Sequence, residues 1–260
     1  MKTLQICGLA LLLHLPISGA IVVEASRFLI DSDSGVNPTL NIVDESGGNS
    51  NSILLVGVTA DSSSSLPASD VTLSWSGGSN IAGTQLITDS GPSNTQTSLW
   101  AFDIGNVAAG ETVTFNNASS AAREVFSLLQ VSGATLAGAE TVAFGSNNGN
   151  ATSASLSFSS LQNDAFVFGV ANWRNNSRSI TGNSANIDSI SGANINNRGH
   201  MYMLDTAAQA SSSTYSFNVN SDSDGIAFSA VALNAIPEPS SVLLLGLATL
   251  GLTLGLRRRS

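Results

Sequence analysis

Ile53-Leu54-Leu55-Val56-Gly57-Val58 is an unbroken apolar run. After a Ser- and Asp-rich interval it is followed by Val71-Thr72-Leu73-Ser74-Trp75, where apolar residues fall on every second position. Alternation with a period of two is the signature of a strand with one buried face, and a short continuous apolar run bounded by turn residues fits a strand buried on both. The same two textures continue along the chain. Strands are predicted at 98–104, 112–115, 124–131, 154–158, 165–173, 200–204, 214–219 and 226–233, separated by Ser, Asn, Gly and Asp clusters. Only 118–124 looks helical, and it is too short to change the class. The reading is all-β: a single sandwich or jelly-roll-like body over residues 21–236.

The body carries an internal echo. Leu99-Trp100-Ala101-Phe102-Asp103 matches Met201-Tyr202-Met203-Leu204-Asp205 at an offset of 102, as Thr112–Phe115 matches Thr214–Phe217 and Phe126-Ser127 matches Phe228-Ser229. Leu55-Val56-Gly57-Val58 pairs with Val167-Phe168-Gly169-Val170 at an offset of 112. Two architectures fit: one sandwich with similar halves, or two tandem sandwiches divided near 135–160. No Pro lies between Pro92 and Pro237 and no charged linker separates the halves, which favours the first. The run from Ile53 to Leu233 also resembles a β-sandwich domain of large bacterial surface proteins.

The two ends have a different character. Lys2 precedes an apolar stretch from Ile6 to Leu15, Pro16 breaks it, and Ser18-Gly19-Ala20 supplies small residues for a cut after Ala20. This is the pattern of a cleaved secretory signal over residues 1–20. The alternative, an uncleaved anchor, has a stretch short for a bilayer core of about 30 Å. Cys7 precedes the apolar stretch, the wrong order for a lipidation site. At the other end, Pro237-Glu238-Pro239 leads into the uncharged run Val242–Leu256, and Arg257-Arg258-Arg259-Ser260 closes the chain. A helix over 240–256 would cover roughly 25 Å and cross a thin membrane, the arginines staying cytoplasmic.

Tripeptide, apolar helix and basic cluster in that order resemble the PEP-CTERM sorting signal of exported proteins in Gram-negative, exopolysaccharide-producing bacteria. The resemblance covers residues 237–259. It implies recognition of Pro237, Glu238 and Pro239 by an exosortase, a membrane-embedded processing enzyme. It also implies retention in the inner membrane through Arg257, Arg258 and Arg259 until processing, and final placement at the cell surface or outside the cell.

Composition narrows what the body does. The whole chain has 9 basic and 18 acidic residues, net −9, with a mean hydropathy of +0.21. Without the two ends, the body keeps five Arg against seventeen acids, net −12, with no Lys or Cys and a single His. A basic nucleic-acid surface, a disulfide scaffold and a Cys/His metal module are thereby excluded. There is no Gly-x-Ser-x-Gly elbow or P-loop, and His200, beside Arg198-Gly199, reads as a loop-edge residue rather than a catalytic base. Among the acids, Asp103, Glu111, Glu124, Asp164 and Asp205 are the candidates for a carboxylate pair of the glycosidase type.

Two binding readings remain. Trp173, ending an apolar strand before Arg174-Asn175-Asn176-Ser177-Arg178, could offer an aromatic platform to an extracellular polysaccharide, with Arg174 and Arg178 as polar contacts. Trp75 and Trp100 lie in alternating strands and read as core. Asp31-Ser32-Asp33-Ser34-Gly35 and Asp222-Ser223-Asp224-Gly225 alternate oxygen ligands before a Gly. A structural calcium at Asp222 and Asp224 competes there with an ordinary turn. No other cofactor is expected. The expectation is a non-enzymatic exported surface or matrix protein, with carbohydrate binding the first alternative and glycoside hydrolysis a remote one.

Overall fold

The computed structural model describes residues 21–32, 37–43, 52–61, 71–91, 94–117, 124–146, 151–161, 165–174, 180–182, 189–195, 198–208, 213–223 and 225–236. The signal segment 1–20, the stretch 118–123 and the tail from 237, with its expected helix 240–256, lie outside these. The described residues are all-β, and Ala20–Ala235 form one compact unit. No helix among them is long and apolar enough to cross a membrane.

The strands of the first half are β1 (Val22–Ser32), β2 (Thr39–Asn41), β3 (Ile53–Asp61), β4 (Val71–Ser74), β5 (Ile81–Ala82), β6 (Thr84–Ser90), β7 (Thr95–Asp103), β8 (Thr112–Asn117) and β9 (Glu124–Ser132). The second half holds β10 (Ala134–Ser146), β11 (Ala151–Phe158), β12 (Ala165–Arg174), β13 (Ile180–Gly182), β14 (Ser189–Ile195), β15 (Arg198–Ala208), β16 (Ser213–Ser223) and β17 (Ile226–Ala235). Gly133, at φ +69°, joins the halves, a left-handed conformation that a residue without Cβ adopts without strain.

Each half is a sandwich of unequal sheets, so the body holds two sandwiches where a single one was expected. In the first, the five-stranded sheet β1-β9-β3-β7-β6 packs on β2-β8-β4-β5; in the second, β10-β17-β12-β15-β14 packs on β11-β16-β13. All paired strands run antiparallel. The two five-stranded sheets then pack face to face, so the body has four layers and three cores. Leu54, Val56, Val58, Trp100, Phe102, Phe126 and Leu128 meet Leu73, Val113 and Phe115 inside the first half. Val167, Ala171, Trp173, Met201 and Phe228 meet Leu156, Phe158, Tyr215 and Phe217 inside the second. Between them lie Ile53, Leu55, Leu99, Leu129 and Val131 against Phe166, Phe168, Val170, Val231 and Leu233. This is why 53–58 and 165–173 read as continuous apolar runs: their strands are central in sheets covered on both faces.

The two five-stranded sheets have matching strand orders, and the contacts between them are those of an approximate two-fold axis along the strands. β3 packs on its own counterpart β12, while β6 on β10 has its equivalent in β14 on β1. A Cβ added to Gly57 would meet Val170, and these are equivalent residues in contact, the mark of an isologous interface.

That equivalence corrects the register of the echo. Ile53 lies opposite Val131 and Phe166 opposite Leu233. With Val131 matching Leu233 at the same offset of 102 as Phe126 and Phe228, Leu55 therefore corresponds to Phe168, not Val167, at an offset of 113. Likewise Trp100, opposite Val56, corresponds to Met203, opposite Gly169, at an offset of 103. A one-residue slip exchanges the faces of a strand. Where both faces are apolar, similarity of residue type does not detect it.

Candidate functional site

Ile21 and Ala235 leave the body from the same end. Val22 pairs with Ser132, Ala134 with Ala235, and Ile21, Val131, Ala134, Leu233 and Ala235 share the central core. Ala235 is the last residue of the β17 ladder; Ile236 follows, and then Pro237. Pro237-Glu238-Pro239 thus begins two residues after the last ladder pair, with no spacer. The tripeptide and Arg257, Arg258 and Arg259 lie outside the described residues, as does Ala20.

The opposite end of the central interface is polar. On the strands that bury Leu55 and Phe168 at one end, the inward positions at the other are Thr59 and Asn172, which correspond under the two-fold. His200 Nδ1 lies 2.8 Å from Thr59 Oγ1, whose hydroxyl donates to Val125 O at 3.2 Å. Asn172 Nδ2 lies 3.5 Å from the same ring nitrogen. Asn172 Nδ2 donates to Ala60 O at 3.3 Å, and Thr97 Oγ1 meets Ser229 Oγ at 2.7 Å. Arg198 bonds Asp61 at 2.7 Å, joining the halves by an ion pair. Asp89, on β6, faces Gly145 of β10. Burial pushes its carboxyl above the ordinary value, although the amides of Ser90 and Phe228 pull the other way.

His200 is therefore not at a loop edge. It is the third residue of β15, 1% exposed, and it fastens one half to the other. Trp173 requires a second correction. It is 0% exposed, because β12 continues to Arg174 and Trp173 points the same way as Val167, Gly169 and Ala171, into the core of the second half. Its indole covers Gly199, where a Cβ would collide with the ring, and packs on Phe217 at 6.1 Å between centroids. No ring face is left for a polysaccharide. Arg174 is exposed and Arg178 lies outside the described residues. Trp100 is buried as expected, whereas Trp75 is half-buried, lying over Gly77 and Gly78 with its Nε1 on Ser79 O at 3.3 Å.

The acids are placed separately. Asp205 is buried and accepts from the Tyr215 hydroxyl at 2.6 Å. Asp103 accepts from the amide of Gly105 at 3.0 Å, and Ser76 donates to Glu111. Glu124 is buried at the start of β9, and Asp164 lies outside the described residues. Asp222 falls in β16 and Asp224 outside. Among the described residues no three His, Cys, Asp or Glu gather as a metal site. One carboxylate the sequence did not single out is Glu140. Its oxygens accept from the amides and hydroxyls of Ser159 and Ser160 at 2.8–3.0 Å. Partial burial pushes the carboxyl up, but these four bonds outweigh it and hold it below the ordinary value.

A body whose last strand runs straight into Pro-Glu-Pro, an apolar stretch and a basic end has the organisation of a protein sorted through its C-terminus. The PEP-CTERM protein-sorting motif matches residues 235–259; the chain carries that signal, which marks an exported protein of a Gram-negative-type bacterium for recognition by an exosortase. The matched span starts at Ala235, inside the final ladder. No curated protein and no solved structure matches the chain.

Proposed function

We propose that the chain is a non-enzymatic surface or matrix protein, held in the inner membrane by its tail and then released or transferred when an exosortase processes that tail. The observation that carries this reading is the sorting motif beginning within β17, with no spacer between body and signal. A four-layer body with three apolar cores and polar turns, net −12, suits a stable module that stays apart from other anionic polymers by like-charge repulsion. In this reading the body works without a cofactor and without catalytic turnover.

The test is the intact mass of the protein isolated from the cell envelope or medium. The mature form is expected to lack Arg257–Arg259, and replacing Pro237, Glu238 and Pro239 with Ala is expected to keep the chain whole to Ser260. A parent protein that retains Ser260 in its final location would overturn the proposal.

A further inference from the structure

The five-stranded sheets have four edge strands, and three of them are blunted. β1 pairs with β9 through two register breaks, has Leu29 at φ +53°, and carries Glu24, Arg27 and Asp31. β6 breaks register between Gln85 and Ile87 and carries Asp89. β10 breaks between Thr135 and Glu140, with Gly138 at φ +73°. Bulges and charges are the devices by which sheet edges refuse another strand. In the smaller sheets β2, β5 and β13 span three residues or fewer. β11 is longer but lies against β10, which holds its end through Glu140.

β14 has none of these devices. Ser189–Ile195 pairs with Leu204–Arg198 in seven unbroken steps, contains no charge and no proline, and ends the order of its sheet. We propose that β14 is an interaction edge for a second copy of this chain, the two β14 strands pairing antiparallel about Gly192 to make one ten-stranded sheet. The segment is suited to itself. Gly192 stands at the middle of the seven residues, so no side chain intrudes where the backbones meet on the two-fold. Ser191, which is exposed, and Ala193 lie across from each other, both small. No described strand pairs with the outer edge of β14, and there each strand's N–H and C=O groups answer those of the other, as in any closed isologous pair. Ser189–Ile195 itself carries no acid, so the pairing brings no charge of β14 against its like.

The mass of the full chain in detergent, measured by light scattering with the micelle subtracted, tests this. The parent is expected to be a dimer, Ser191→Lys a folded monomer, and Ser155→Lys on β11 a dimer like the parent. A monomeric parent, a dimeric Ser191→Lys, or a monomeric Ser155→Lys would each overturn the proposal. Should Ser191→Lys not fold, Ser191→Cys with Ala193→Cys in a Cys7→Ser chain reads the same contact. Mild oxidation is expected to give a covalent dimer, and its absence would count against the pairing.

Discussion

Asp89 shows how one side chain departs from the rule that the interior of a sheet pair is apolar. Its Oδ2 is buried without a hydrogen-bond partner, and Gly145 opposite leaves just enough room for it. The raised pKa has a definite consequence for stability. An acid whose folded pKa lies above its unfolded value, 3.8 here, stabilises the fold fully below that value. The contribution is lost as pH rises through the folded pKa. Above it the chain holds a charged carboxylate where water is scarce. Asp89→Asn is therefore expected to match the parent below pH 3.8 and to exceed it at pH 7 by at most about 1 kcal/mol, because the half-buried side chain keeps part of its contact with water. Urea unfolding of both proteins across that range reads the difference, and an equal stability at pH 7 would refute the account. The two misplaced side chains, Trp173 and His200, teach a related lesson. Residues 165–173 are apolar on both alternating faces, so the run shows no phase that would point Trp173 into the core of the second half rather than out of it. The sequence did not reveal that a second sheet covers the other face, which is what buries His200.

Among the elements, the ten strands expected from 53–58 through 226–233 are all present. Their runs are apolar or alternating because they line a core. The seven not expected are of two kinds. β2, β5 and β13 are too short to show a period. β1, β6, β10 and β14 are sheet edges, where bulges interrupt the alternation or small polar residues such as Ser189, Ser191 and Asn194 replace it. The calcium and polysaccharide readings depended on turns, and turns carry the weakest positional information of all. Edge strand β10 illustrates what a missed element holds. Glu140 ties it to Ser159 and Ser160, just past β11, and so fastens the large sheet of the second half to the small one. A carboxylate held below its unfolded value, 4.5 for Glu140, stabilises above that value and stops doing so as pH falls through its folded one. The amides of Ser159 and Ser160 are expected to be protected from hydrogen exchange at pH 7, to lose that protection several-fold in Glu140→Ala, and to keep it in an otherwise equivalent surface change such as Ser155→Ala. Unchanged exchange in Glu140→Ala would show that the turn holds itself.

At the scale of the whole molecule, the decisive fact is that the apolar faces of the two halves meet only each other. Residues 21–133 alone would expose Ile53, Leu55, Leu99, Leu129 and Val131, and residues 134–236 alone would expose Phe166, Phe168, Val170, Val231 and Leu233. Fully burying such a side chain is worth about 1.5–3 kcal/mol, so ten of them amount to at least as much as the roughly 5–15 kcal/mol by which domains are stable. The sequence echo alone would allow two independent tandem domains, and the hidden faces argue against that: each half has its own core, but neither has a finished surface. The polar end adds direction to this association. Thr59–His200, Asn172–Ala60, Thr97–Ser229 and Asp61–Arg198 join unlike partners across the interface, so two copies of the same half lack the matching set. Expressed separately, the halves are expected to aggregate or bind a hydrophobic dye. Mixed during refolding, they are expected to recover a one-to-one complex with the far-ultraviolet spectrum of the joined body. Arg198→Ala together with His200→Ala should weaken that recovery more than tenfold in yield while leaving each half's own aggregation unchanged. A soluble, dye-free 21–133 fragment would mean that the halves are autonomous, and that the central interface merely brings finished domains together.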